Sequence, residues 1–232
     1  MRSLIYADWI VARRSFLRFA LVSLVILCPI IAASNDGTSG APGVMATCLF
    51  VTMLTMNVAL GIFGTDEAGD WQQCRLTMPV TLHQVVSARY TFVALVCGAT
   101  MVGAAALGWL VELAIPLFGG VLTVPRGGSE IVMASWGMGL VTLGYLALGM
   151  PMLYRLGVTK ARMAFTAPFL LMALIALEPV RNALHGVLNS LEGFAGNFSS
   201  PWPVLLVGSV AVALLYVASL HLSERLYASR EL

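Results

Sequence analysis

The sequence predicts an all-α polytopic membrane protein, a single domain over residues 1–232 that crosses the bilayer six times with both termini in the cytoplasm. Three observations carry this expectation. Hydrophobic residues make up 59% of the chain and charged residues only 10%, whereas a soluble domain carries roughly 25% charged residues. The apolar residues fall into six runs close to the ~20 residues that span a hydrocarbon core. Basic residues gather in alternate gaps between those runs, as they do on the cytoplasmic side of membrane proteins.

The runs are Phe16 to Ala33, Val44 to Phe63, Phe92 to Phe118, Ile131 to Leu153, Met163 to Leu177 and Val204 to Leu222. Turn residues separate them, such as Ser34-Asn35-Asp36-Gly37 and Gly119-Gly120. The runs lack the alternation of barrel strands, so helices must satisfy the backbone in lipid. Placing the N-terminus inside puts Arg2, Arg13, Arg14, Arg18, Arg75, Arg89, Arg155, Lys160, Arg162, Arg225 and Arg230 on the inner side. Only Arg126 and Arg181 of the thirteen basic residues remain outside. Ile31-Ala32-Ala33 resembles a signal-peptide cleavage site, but the polar lead of about eighteen residues is long for such a signal. A lipoprotein site at Cys28 is opposed by the bulk of Leu27. The lead itself mixes Tyr6 and Trp9 with Arg13 and Arg14, a composition suited to an interfacial helix on the inner leaflet.

A formal net charge of +2 gives no basis for nucleic-acid binding. Three of the four cysteines, Cys28, Cys48 and Cys97, lie in apolar runs, Cys74 lies in a polar loop, and no metal-ligand spacing is present. The most polar stretch is the second loop, from Gly64 to Thr81. Thr65 can act as a helix N-cap, Asp66 and Glu67 suit the positive end of a helix dipole and Arg75 the negative end. These residues predict a short amphipathic helix from Asp66 to Cys74. Pro79 then stops propagation, and Thr81 caps a helix that runs through Val85, Val86, Arg89 and Tyr90 into the third span. The same residues also suit a solvated loop whose acids balance nearby arginines.

Acidic residues followed by Trp71, then Leu76-Thr77-Met78-Pro79-Val80-Thr81, then Val85-Val86 and Arg89-Tyr90 entering a span, resemble the permease subunits of type 2 ATP-binding-cassette exporters. The likeness is sharpest over Asp66 to Tyr90, and the six-span layout agrees over the whole chain. The departures are Met78 where Leu usually precedes Pro, and His83 near an often basic position. The resemblance implies that the loop carries a cytoplasmic coupling helix that docks on a separate ATPase, with Asp66, Glu67, Asp70, Trp71 and Arg75 as contact residues. It implies two ATPase copies and a second permease chain, identical or homologous, in the lipid bilayer. The chain itself lacks a Gly-x-x-x-x-Gly-Lys-Ser/Thr loop, so ATP and Mg belong to the partner and no cofactor binds directly. The implied function is export of a peptide or hydrophobic small molecule, and the expected location is the plasma membrane of a bacterium.

Glu178 to Ser200 is expected outside, with Val180, Leu184, Val187, Leu188, Leu191 and Phe194 at helical spacing. It reads as an amphipathic cap over the bundle or as a re-entrant gate, the latter being common in the resembled family. Asn197-Phe198-Ser199 is a glycosylation sequon of consequence only in a eukaryote. The fifth run has Pro168 within a length of about 22 Å at 1.5 Å per residue, and either lines a path or kinks a packed helix. In the resembled family the second and fifth spans face the pathway, which makes Thr55, Asn57, Pro168 and Met172 lining candidates. Back-bonding to the helix explains the second-span threonines without any substrate. Small pairs four apart, Ala94 and Gly98, Ala104 and Gly108, and Ser135 and Gly139, predict close helix packing.

Glu112 is a charge inside the third run, and either snorkels to the outer interface or relays protons. The competing functions are an ion-driven secondary transporter built on Glu112 and a non-transporting immunity or sensor protein. An intramembrane enzyme is disfavoured. His83 and His185 fall in loops and His221 at a span end, and no span carries an HExxH, GxSxG or paired-carboxylate motif.

Overall fold

The computed structural model describes residues 2–33, 42–68, 81–114, 128–157, 160 and 202–228. Within them the regular elements are five helices, α1 (Arg2–Ala33), α2 (Pro42–Ala68), α3 (Leu82–Ala114), α4 (Gly128–Leu156) and α5 (Trp202–Ala228). Among the described residues four stretches are long and apolar enough to cross a membrane, Ala46–Thr65, His83–Leu113, Gly128–Leu156 and Trp202–Leu226. They match the second, third, fourth and sixth apolar runs. The fifth run, with Pro168 and Met172, and the outer segment 178–200 lie outside the described residues.

The sequence separates an interfacial lead from a span that starts at Phe16. The structure instead has one helix of 32 residues from Arg2 to Ala33, about 48 Å long. The lead has a packing role that keeps it in line with the rest of the helix. Ala12 is buried with Val58 and Ile62 of α2 and Phe92 and Val96 of α3, and Phe16 packs onto the same group. One turn or more further on, Phe19 and Ala20 meet Phe50, Val51, Leu54 and Ala104. Burying one continuous stripe against two neighbours favours a single straight helix over one bent at the membrane surface.

Helix α2 is the hub, packed on α1, α3 and α4. Just over half of its apolar window, 56%, is buried, against 6% for α5. Large apolar side chains on the other helices point outward, among them Val25, Val102, Val141 and Val207. A surface of this kind matches a lipid environment, where apolar exposure carries no hydrophobic cost.

Helix direction follows from which ends meet. Phe63 near the end of α2, Val86 and Tyr90 near the start of α3, Leu153 and Tyr154 near the end of α4, and Leu220 late in α5 share one cluster. With Ala12 of α1 beside Ile62, that end, the loop end, holds the start of α1 and both flanks of residues 69–80. Helices α4 and α5 run parallel. A methyl at Gly137 would meet Leu205 at 3.7 Å, and one at Gly144 would meet Val212 at 3.8 Å, while Ser219 reaches Ala147.

The small-residue pairs meet their expectation unevenly. Ser135 Oγ donates to the Met101 carbonyl at 2.6 Å, and a methyl on Gly139 would stand 2.7 Å from Met101 Cγ, so α3 and α4 approach closely there. Ala104 is fully buried and its carbonyl accepts from Thr47 Oγ1 at 3.2 Å. Gly98 is exposed, and nothing among the described residues lies within 4 Å of the methyl it lacks. It faces away from the contact that α3 makes through Cys97, Thr100 and Met101.

Candidate functional site

The polar loop is held by the end of α2 and the start of α3. The expected break at Gly64-Thr65 does not occur, because α2 continues to Ala68. Thr65 is not an N-cap; its hydroxyl donates back to the Ile62 carbonyl at 2.9 Å, which satisfies it within the helix. Asp66 and Glu67 therefore belong to the last turn of α2 rather than the first turn of a new helix. On the far side the expectation for Thr81 holds. Gln84 N donates to Thr81 Oγ1 and Thr81 N donates to Gln84 Oε1, both at 3.4 Å. This reciprocal pair is a capping box that fixes the start of α3.

Below the loop lies a buried aromatic and cationic base. Arg89 is only 5% exposed, with its Cζ 4.8 Å from the centre of the Phe63 ring. Phe63 in turn meets Tyr154 edge-on at 5.2 Å. A cation over a ring face, away from water, stabilises by about 2 kcal/mol. Three helices, α2, α3 and α4, are thereby pinned at the point where the loop departs. Helix α4 stops just past this base, at Gly157, whose φ of 76° is left-handed and whose N–H donates to the Leu153 carbonyl at 3.1 Å. Only glycine takes that conformation without steric cost.

Pro151 lies inside α4. It has no N–H, so the carbonyl four residues back, on Ala147, has no helical donor. Ser219 of α5 supplies one, since its Oγ donates to the Ala147 oxygen. That uses the only hydrogen of Ser219, so its oxygen accepts from Tyr90 of α3, at 2.8 Å from the phenol. Tyr90 also approaches the Ser219 carbonyl at 3.1 Å. With the Tyr90 hydrogen spent on Ser219, the 2.6 Å contact to Ser223 Oγ is a bond that Ser223 donates. The order is Ser223 to Tyr90 to Ser219 to Ala147, and each hydroxyl both gives and takes where appropriate. Tyr216 answers from α5 by donating to the Tyr90 carbonyl at 2.7 Å, with the two rings edge-on at 5.0 Å. Closer to the loop, Glu224 lies 3.4 Å from His83 Nε2 and 3.5 Å from His221 Nδ1.

A family model described as ABC-2 family transporter protein matches residues 3–228. The chain belongs to the ABC-2 transporter family. No curated protein and no solved structure matches it. An ABC-2 permease is the membrane component of its transporter, with several spans and with an ABC ATPase as partner, and it is a transport component rather than a catalytic one.

Within this ABC-2 permease the residues singled out in the sequence fall into three groups. The backbone of Asp66 and Glu67 is in α2, while Asp70, Trp71 and Arg75 lie outside the described residues. Thr55 and Asn57 are both in α2. Thr55 is fully buried and its hydroxyl is 2.8 Å from that of Thr100 in α3. Thr100 already donates to the Cys97 carbonyl at 2.8 Å, so Thr55 is the donor of the pair. Asn57 is half-buried and its Nδ2 donates to the Met53 carbonyl at 2.7 Å. Glu112 sits half-buried near the end of α3 away from the loop.

Sequence reasoning did not find Pro151, Ser219, Ser223 or Tyr216. A usable signal was present, because proline inside an apolar run releases a carbonyl that lipid cannot satisfy. A hydroxyl on another span had to supply the missing bond.

Proposed function

We propose that the chain is the permease of an ABC exporter with six crossings, whose loop end lies in the cytoplasm and whose residues 66–75 form the contact for a separate ATPase. Two permease chains and two ATPase chains make up the working unit, and ATP with Mg is consumed by the partner. ATP-driven closure of the ATPases pushes on the loops and alternates access to a path between the permeases. The cargo is a peptide or a hydrophobic small molecule.

The observation that carries this reading is the construction of the loop end. A loop seated on a capping box, a buried Arg89–Phe63 pair and a chain of hydroxyl bonds passes a push to the helices instead of absorbing it. The distribution of charge supports the orientation. Among the described residues Arg13, Arg89, Arg155, Lys160 and Arg225 lie toward the loop end and Arg18 about midway along α1, whereas Glu112 and Glu130 mark the other end, where no Lys or Arg is described. The parallel run of α4 and α5 supports the fifth crossing. The chain between them must return to the end where α4 began, and Met163 to Leu177 is the apolar run available for it. Pro168 and Met172 remain path candidates on that crossing. Of the α2 candidates, the half-buried Asn57 suits a path better than Thr55, whose hydroxyl is committed to α3.

Co-purification with an ABC ATPase encoded beside this gene tests the reading. Trp71→Ala and Glu67→Gln are expected to lose the ATPase while the permease stays folded. Capture equal to that of the unaltered chain sinks the assignment of this loop.

A further inference from the structure

We infer that α3, α4 and α5 are joined at the loop end into one moving body, and that Tyr90 is the positioning residue that carries displacement of the loop to α5. The inference rests on the reading of residues 66–75 as the ATPase contact. Helix α3 begins at the loop, and Tyr90 follows its Thr81 cap by about two and a half turns. Helix α5 has little else to hold it to α3, given that only 6% of its apolar window is buried.

What does join them is concentrated within the last four turns of α5. The Tyr90 phenol bonds Ser219 and Ser223, Tyr216 bonds the Tyr90 carbonyl, and His83 faces Glu224. Apolar contacts between helices slide in small steps, whereas a hydroxyl bond buried at membrane depth has no water to exchange with and is either made or broken. Helix α4 enters the same body through the carbonyl that Pro151 leaves open. Next to that bond α4 and α5 part around a groove of about 500 Å³ lined by Pro151, Arg155, Ser219 and Leu222. The hydroxyl chain therefore bridges the two helices at a point where side-chain packing is incomplete.

The test uses the permease with its ATPase in nanodiscs, with spin labels introduced as unnatural amino acids at Thr91 and Leu222, two exposed positions on α3 and α5. Their separation is read without nucleotide and with ATP trapped. In the unaltered chain the separation is expected to be the same in both states. In Tyr90→Phe, and independently in Ser223→Ala, that constancy is expected to be lost, with ATPase capture unchanged and ATP turnover no longer responsive to the permease. A separation that changes in the unaltered chain, or that stays constant in both variants, overturns the inference alone. Failure of the unaltered chain to capture an ATPase overturns it together with the function on which it rests. A purely stabilising role for Tyr90 would lower the melting temperature without making the separation depend on nucleotide.

Discussion

Ser219 and Pro151 sit on different helices and are coupled through one oxygen: the Ser219 hydroxyl donates to the Ala147 carbonyl that Pro151 leaves without a helical donor. This makes the value of the serine depend on the proline. Ser219→Ala leaves that carbonyl buried and unpaired, a cost of about 1–3 kcal/mol. In a Pro151→Ala background the helix supplies its own N–H, and the part of the Ser219→Ala cost that comes from the Ala147 carbonyl is expected to vanish, leaving only the bond that Tyr90 loses. Equilibrium unfolding in mixed micelles over the four-member cycle measures the difference; additive costs would contradict the shared-carbonyl account.

The Arg89–Phe63 pair predicts a different pattern. Phe63→Leu keeps apolar volume but removes the ring face beneath the guanidinium and the edge contact to Tyr154. The expected loss is about 1–3 kcal/mol, combining the cation contact and the aromatic pair. Phe63→Tyr and Phe63→Trp retain a face and should lose less. A thermal melt of the purified permease ranks the three, and a Leu variant as stable as the Tyr variant would show that the ring face is not used.

Thr55 and Thr100 offer a test of helix association. Thr55→Val and Thr100→Val should each weaken the α2–α3 contact by about 0.6–1.7 kcal/mol, the range for side-chain bonds between membrane helices. Together they should cost less than the sum. Independent effects would mean that the two hydroxyls do not face each other.

Gly139 and Gly98 should part company under the same change. Gly139→Ala forces a methyl into the Met101 side chain and is expected to cost about 1–3 kcal/mol, with recovery when Met101 is shortened to Ala. Gly98→Ala meets open space and should leave stability unchanged or raise it by up to about 1 kcal/mol, the helix-propensity gain of alanine over glycine. Folded yield and melting temperature of the variants report both effects.

Much of the helix layout was legible because the membrane imposes a single length scale on apolar runs, and Thr81 was legible because its partner Gln84 is three residues away. Thr65 misled for a local reason: a hydroxyl that can cap a helix can equally bond the preceding turn, and nothing in the local sequence says which. The lead of α1 looked interfacial because Trp9 and the arginines are visible in sequence while its contact with Ile62 and Phe92 is not. The clasp around Tyr90 escaped because its partners lie well over a hundred residues along the chain, and local pattern carries no register between distant spans.

The open carbonyl at Ala147 also has a consequence for biosynthesis. The acceptor is made with α4, but its donor arrives only with α5, which leaves the ribosome about fifty residues later. Until then a growing chain exposes an unsatisfied oxygen on α4 and an unpartnered phenol on α3. A chain that stops short of Trp202 keeps both defects, which gives membrane quality control a chemical mark for an unfinished permease.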